Sequence, residues 1–306
     1  MIIRNLAREV KNNRQNLSSL EEELKSRGNE PEIGFKSLPQ LNAKIWGFKK
    51  GLNVIGARTS IGKSAMAIQI ALDLAKQGKK VVFLSLEMTE GSILERMFCN
   101  EYQINNFDIQ RGLFMVNTEI RERWEKFKEV VLNMPYFLIT CGIGSDFNEI
   151  NVFIEKVLQP KPQVIILDYV QMVRGGFKER ENLSEYVRMF RQLMLTNDMV
   201  GIMCSQVNRM VEKDNDYRPR LENLKSTGSL EEVCDLCLLL HWNYFYTKKE
   251  EQRNEYDVLI AKNRSGNTGV HTISYAPEYY KFEEKVVDWA LVKNVKEVFG
   301  EKLQGD

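Results

Sequence analysis

The sequence predicts an α/β protein built on a doubly wound, mostly parallel central sheet, with helices on both faces and an antiparallel extension. Three observations carry this expectation. From Ile33 onward, apolar stretches of strand length alternate with segments of helical period. One of them, Val164-Ile165-Ile166-Leu167, is apolar throughout, as a parallel strand covered on both faces must be. Leu52 to Ser64, LNVIGARTSIGKS, runs from a short apolar strand through a loop of small residues into an apolar-periodic helix.

Size and charge suit that fold. With 306 residues, 43% hydrophobic and 28% charged, the chain can fill one large α/β domain plus an appendage. The net charge of +1 excludes a general attraction to polyanions, so any nucleic-acid contact must come from a local basic lining. The five cysteines (Cys99, Cys141, Cys204, Cys234, Cys237) are scattered and odd in number, which argues against a disulfide framework. Cys234 and Cys237 form a lone C-x-x-C in an apolar run and read as buried thiols; His241 and His271 are isolated and read as core or surface residues. No apolar run approaches membrane length and residues 1–11 lack a signal-peptide core, so a cytoplasmic protein with no membrane partner is expected.

Residues 1–30 read as a helical arm. Ile3, Leu6, Val10, Leu17, Leu20 and Leu24 recur at helical spacing, and Ser19-Leu20-Glu21-Glu22 fits a capping box that would start a second helix near Ser19. An apolar stripe on an arm without its own core must bury against its own domain or a neighbouring subunit. Residues 28–31 read as a hinge, and 31–306 as the main domain. Strands are predicted at 52–56, 80–87, 136–140, 163–168, 199–205, 236–241, 256–263 and 269–275, the later ones close enough together to pair antiparallel. Helices are predicted near 64–77, 90–101, 118–133, 146–158, 182–197 and 286–303. Ala67, Ile70, Ala71 and Leu74 define the first, and Leu183, Tyr186, Val187 and Phe190 the fifth.

The loop at 57–64 has the chemistry of a triphosphate site. Successive backbone N–H groups there can form a nest for phosphate oxygens, and the following helix adds its dipole. Ala57, Arg58, Thr59, Ser60 and Ile61 shape the loop, and Gly62 permits close backbone approach. Lys63 can reach the β- and γ-phosphates, and the Ser64 hydroxyl can bind Mg²⁺. Alanine stands at the first loop position, with Gly56 just before it. ATP and Mg²⁺ are therefore the expected cofactors.

Four further groups end predicted strands. Glu87 closes VVFLSLE, where a carboxylate can orient an attacking water or merely cap a helix. Asp168 closes VIILD after four apolar residues, a pattern that supports Mg²⁺ beside a phosphate loop. Gln206 follows GIMCS, where an amide can sense the γ-phosphate or simply start a loop. Lys262 and Arg264 close YDVLIAKNR; they are either a solvated face or cations that reach a neighbour's γ-phosphate.

Taken together these residues resemble the replicative hexameric DNA helicases of the DnaB type, which are built on a RecA-like P-loop NTPase domain. The resemblance lies in ARTSIGKS (57–64), SLEM (85–88), LDYVQM (167–172), SQVNR (205–209), LKSTGSLEEVCD (224–235) and AKNRSGNTG (261–269), in the family's order. It implies that Lys63 and Ser64 bind phosphate and Mg²⁺, that Glu87 is the catalytic base and that Asp168 supports the metal. It further implies that Gln206 couples nucleotide state to DNA, and that Lys262 and Arg264 act in trans in a homo-oligomeric, hexameric ring. Lys225, Ser226, Thr227 and Gly228 match the family's DNA-contacting loop, with Arg174 and Lys178 in a second, glycine-rich basic loop. Single-stranded DNA is the implied partner, with movement 5′→3′. The family's separate N-terminal collar, which contacts primase, has no counterpart in the roughly thirty residues before the motor, so loader and primase contacts stay open. Two other readings remain at this point: an ATP-dependent assembly factor or loader that binds single-stranded DNA without unwinding, and a KaiC-like regulatory ATPase.

Overall fold

A computed structural model describes residues 13–26, 28, 31–174, 179–214, 216–227 and 230–285. The chain divides into two units, 1–32 and 33–306.

In the first unit, one helix, α1 (Asn13–Ser26), runs unbroken. Ser19, the expected cap of a second helix, lies in its middle, because Leu17, Leu20 and Leu24 continue one stripe across it and nothing nearby breaks a helix. All three leucines are exposed. Ile3, Leu6, Val10 and residues 29 and 30 of the expected hinge lie outside the described residues.

The second unit follows in chain order as α2 (Pro39–Ile45), β1 (Gly51–Ala57), α3 (Lys63–Lys76), β2 (Val81–Ser85), α4 (Glu90–Tyr102), α5 (Asn106–Gln110), α6 (Leu113–Val116) and α7 (Thr118–Leu132). Then come β3 (Phe137–Cys141), α8 (Phe147–Val152), β4 (Val164–Asp168), α9 (Glu179–Thr196), β5 (Val200–Gln206) and α10 (Leu230–Val233). β6 (Leu236–Trp242), α11 (Asn243–Thr247), β7 (Tyr256–Asn263), β8 (Gly269–Ala276) and β9 (Lys281–Glu284) complete it. The strands form one nine-stranded sheet in the order β3-β2-β4-β5-β1-β6-β7-β8-β9. β3 through β6 in that order are parallel, and β7, β8 and β9 are added antiparallel, as the sequence predicts.

The apolar strands are explained by cover on both faces. In β4, Val164 and Ile166 join the cluster formed with α2, α3, α4 and α7, while Ile165 and Leu167 join the cluster on the other face with α8 and α9. β1 divides the same way, with Ile55 and Ala57 on one side and Leu52 and Val54 on the other. Each valine, leucine or isoleucine so removed from water contributes about 1.5–3 kcal/mol.

Two segments depart from expectation and a third is not described. The helix expected at 146–158 is α8, opened by an Asp146–Glu149 capping box, followed by a π-helical turn at Phe153–Val157. β2 stops at Ser85, so Glu87 stands two residues past its end. The helix expected at 286–303 lies outside the described residues. No helix among the described residues is long and apolar enough to cross a membrane.

Candidate functional site

Because six strands run parallel, their carboxyl ends share one edge, and register decides which side chains meet there. Ser85 pairs with Asp168, and Ala57 pairs with Gln206. A cleft of about 370 Å³ opens at this edge, with Thr59, Gly62, Lys63, Ser64, Glu87 and Gln206 in its wall.

The phosphate loop is shaped from behind by the antiparallel extension. Gly62 adopts φ +115°, and a Cβ there would lie 3.1 Å from Phe282 Cζ and 3.3 Å from Tyr275 Cζ, so glycine is required twice over. Tyr275 and Phe282 stack with ring centroids 4.2 Å apart, and the buried Tyr256 hydroxyl donates to the Ile61 carbonyl at 3.0 Å. Gly62 is the N-cap of α3 and no side chain caps that helix, which leaves first-turn N–H groups for an anion.

Lys63 donates to Asp168 Oδ1 and lies 4.5 Å from the centre of the Tyr169 ring. Burial alone would pull the ammonium's pKa down. Asp168, with Cys204 and Glu87 beyond it, outweighs that and holds it above its ordinary value. Asp168 is fully buried, and its Oδ2 accepts no hydrogen bond among the described residues. Burial, reinforced by Asp168, pushes the neighbouring Cys204 thiol up and keeps it protonated.

Gln206 donates from Nε2 to Thr59 Oγ1 at 2.9 Å, joining the end of β5 to the phosphate loop. Its backbone N–H donates to Gln171 Oε1 at 3.0 Å, and Gln171 Nε2 donates to Ser205 Oγ at 2.9 Å. Gln171 thus clamps β5 from the turn after β4, a role with no signal in the sequence. Arg58 keeps its guanidinium on Glu212 and the Val207 carbonyl, leaving its backbone to the loop. Glu87 is exposed on the rim. Arg96, Tyr169, Tyr275 and Tyr280 also line the cleft unannounced; the Arg96 guanidinium lies 5.0 Å from the Tyr280 ring centre.

Lys262 and Arg264 are not brought to this cleft. They do close a strand, but β7 is antiparallel, and Asn263 pairs with Leu236 at the start of β6. Both cations therefore stand at the opposite edge of the sheet. There Lys262 Nζ donates to the Glu231 carbonyl at 2.6 Å, and Arg264 binds Asp235 Oδ1 at 3.1 Å and the Glu232 carbonyl at 3.0 Å. Lys225, Ser226 and Thr227 belong to a 3₁₀ helix, Leu221–Thr227, anchored by the buried Leu224. Arg174 is exposed and donates its backbone N–H to the Ser145 carbonyl at 3.0 Å; Lys178 and Gly228 lie outside the described residues.

Both the sequence and the fold are similar to those of known proteins. The replicative DNA helicase DnaC of Bacillus subtilis (strain 168) is 30% identical over 258 residues, covering 81% of this chain and 55% of that protein. The replicative DNA helicase DnaB of Geobacillus stearothermophilus is 29% identical over 262 residues, with the same two coverages of 81% and 55%. The chain thus spans about half the length of the curated relatives it matches. Among solved structures, one ATPase domain superposes with a TM-score of 0.80 at 25% identity, covering 89% of this chain and 98% of that one. A DnaB-like replicative helicase, solved in a study of its interactions with primase, also reaches 0.80 at 25% identity, over 90% of this chain and 68% of that one. The model of the DnaB-like helicase C terminal domain matches residues 32–284, and on that match the chain belongs to this helicase family.

Proposed function

We propose that this chain is the ATP-driven motor of a ring-forming replicative DNA helicase that travels along single-stranded DNA and separates the duplex ahead of it. One observation carries the reading. Lys63, Ser64, Glu87 and Gln206 converge on one cleft, with Asp168 behind Lys63, whereas Lys262 and Arg264 sit at the far edge of the same sheet. Two cations so placed cannot serve their own cleft, but copies packed head to tail would set one chain's far edge against the next chain's cleft. Head-to-tail contacts close into a ring when the rotation between copies closes and run on as a filament when it does not; a ring of six copies matches the family resemblance.

In this scheme the triphosphate lies on the loop N–H groups and draws Lys63 from Asp168 onto the β- and γ-phosphates. Asp168 Oδ2, buried without a hydrogen-bond partner among the described residues, and the Ser64 hydroxyl are hard oxygen donors that fit Mg²⁺ arriving with the phosphates, Ser64 directly and Asp168 through a water. The metal would neutralise charge on the transferring phosphoryl group. Glu87 orients the attacking water, Gln206 reads the γ-phosphate through its bond to Thr59, and Arg264 with Lys262 steadies the transition state from the next subunit. Lys225, Ser226, Thr227 and Gly228, aided by Arg174 and Lys178, grip DNA phosphates without reading sequence.

The test is strand displacement from a forked duplex with a free 5′ tail, in ATP and Mg²⁺. Release of the labelled strand is expected. ATP-dependent binding of the fork with no release would instead mark a loader or binding module.

A further inference from the structure

Arg58 is a phosphate-loop residue whose side chain leaves the loop. The residue is only 9% exposed, and its guanidinium makes three hydrogen bonds, all to the stretch after β5. Nε and Nη2 donate to Glu212 Oε1 at 2.9 and 2.6 Å, and Nη1 donates to the Val207 carbonyl at 3.2 Å. The Val207 N–H returns a bond to the Ala57 carbonyl at 2.8 Å. Residues 57–58 are thus fastened to residues 207–212 through side chain and backbone together, and a planar guanidinium holding two acceptors fixes their spacing.

Glu212 rides on a short 3₁₀ turn, Arg209–Lys213, which is joined in turn to Leu221–Thr227. The Asn208 N–H donates to the Asn223 carbonyl at 3.1 Å, and Val211 and Leu224 are buried in one cluster. Leu224 reaches β1 where Gly56 leaves room: a Cβ at Gly56 would lie 3.2 Å from Leu224 Cδ2. Lys225 follows directly. Between the loop that would cradle triphosphate and the segment that would grip DNA there are only two linked turns.

We propose that Glu212 is a positioning residue for nucleotide–DNA coupling. Its ion pair with Arg58 sets the phosphate loop in register with the Leu221–Thr227 turn, so that reshaping the loop around a triphosphate shifts the DNA-gripping segment, and DNA acts back on the loop. This rests on the helicase reading above. Glu212 is not among the cleft-lining residues and its side chain is 45% exposed, while that of Arg58 is 10% exposed. The amide oxygen of Glu212→Gln can still accept from the buried guanidinium, so this substitution removes the charge without stranding Arg58 and should leave the fold and the nucleotide site standing.

The experiment uses the full chain, ATP–Mg²⁺, a non-hydrolysable ATP analogue and a dye-labelled oligothymidylate. For Glu212→Gln, kcat and KM without DNA should stay within about twofold of wild type, while the DNA stimulation of turnover falls at least about fivefold, the lower end of measured coupling. The analogue's effect on oligothymidylate affinity, and the oligonucleotide's effect on analogue affinity, should shrink by one common factor, as linkage requires. Glu212→Asp, which keeps the charge, should recover most of the response. Wild-type coupling in Glu212→Gln overturns the proposal. Equal losses with and without DNA also overturn it, since they mark a purely structural role. A wild-type chain with no response to DNA removes the helicase reading and this proposal with it, and is told apart by needing no variant.

Discussion

The Lys63 ammonium rests on the Asp168 carboxylate with its side chain 10% exposed and that of the aspartate fully buried. The lysine opens α3 and the aspartate closes β4, so the pair ties the phosphate loop to the end of β4. Since Lys63 titrates above its usual 10.5, its contribution is complete below that pH and is lost only as pH climbs through the higher folded value. It therefore holds across the neutral range.

Lys63→Ala should abolish ATP hydrolysis and weaken nucleotide binding, and it should also destabilise the nucleotide-free protein. It strands a buried carboxylate, for which breaking such a pair costs about 3–5 kcal/mol. The double variant Lys63→Ala with Asp168→Asn should be more stable than Lys63→Ala alone, because the stranded charge is gone. Urea unfolding and steady-state turnover measure both. Normal turnover in Lys63→Ala would remove the site assignment, and a double variant no more stable than the single would remove the account of the pair.

The sequence makes the strands of this protein easy to read and the contacts between them hard. The strands β1 to β8 match their predicted spans within two residues. In β1, β2, β4, β5 and β6 burial on both faces leaves apolar runs that stand out from their flanks, and in β7 and β8 burial alternates along the strand. β9 is only Lys281-Phe282-Glu283-Glu284, with one buried side chain, and its existence follows from pairing with β8 and not from its own composition. The carboxyl-edge residues are legible because each ends or follows a readable strand. The antiparallel extension is legible from its short connections, but the register that sets Lys262 and Arg264 against Glu231, Glu232 and Asp235 is not. Tyr256, Tyr275 and Phe282 come together behind Gly62 only through register, which a local pattern does not specify.

The placement of Arg264 makes a mixing experiment decisive. In its own chain the guanidinium is occupied by Asp235 and the Glu232 carbonyl, on the edge away from the cleft. Arg264→Ala should lower turnover by roughly 10³-fold or more, the usual worth of an arginine finger. Lys63→Ala should be inactive by itself. A mixture of the two chains creates interfaces in which an intact Lys63 cleft faces an intact Arg264, and hydrolysis should partly return there. Turnover no higher than the sum of the separate variants, in particles shown to contain both chains, would exclude service in trans.

His241 supplies a stability prediction independent of nucleotide. It lies in β6 with 2% exposure, its ring stacked on Tyr246 with centroids 5.9 Å apart, and its Nδ1 has no partner among the described residues. Burial, helped by the Arg218 charge, pulls its pKa from 6.5 to about 4, against a smaller opposing pull from Asp257 and Asp216. The unfolded chain therefore binds a proton near pH 6.5 that the folded chain refuses until about pH 4. Stability from the neutral ring is full above the unfolded value and is lost as pH falls through this window, by about 3 kcal/mol in total. His241→Phe keeps a flat ring against Tyr246 and cannot titrate. Its urea midpoint should sit slightly below wild type at pH 7 yet fall less between pH 7 and pH 4.5. If both proteins lose stability equally over that interval, the acid sensitivity belongs to other groups and His241 is not buried in its neutral form.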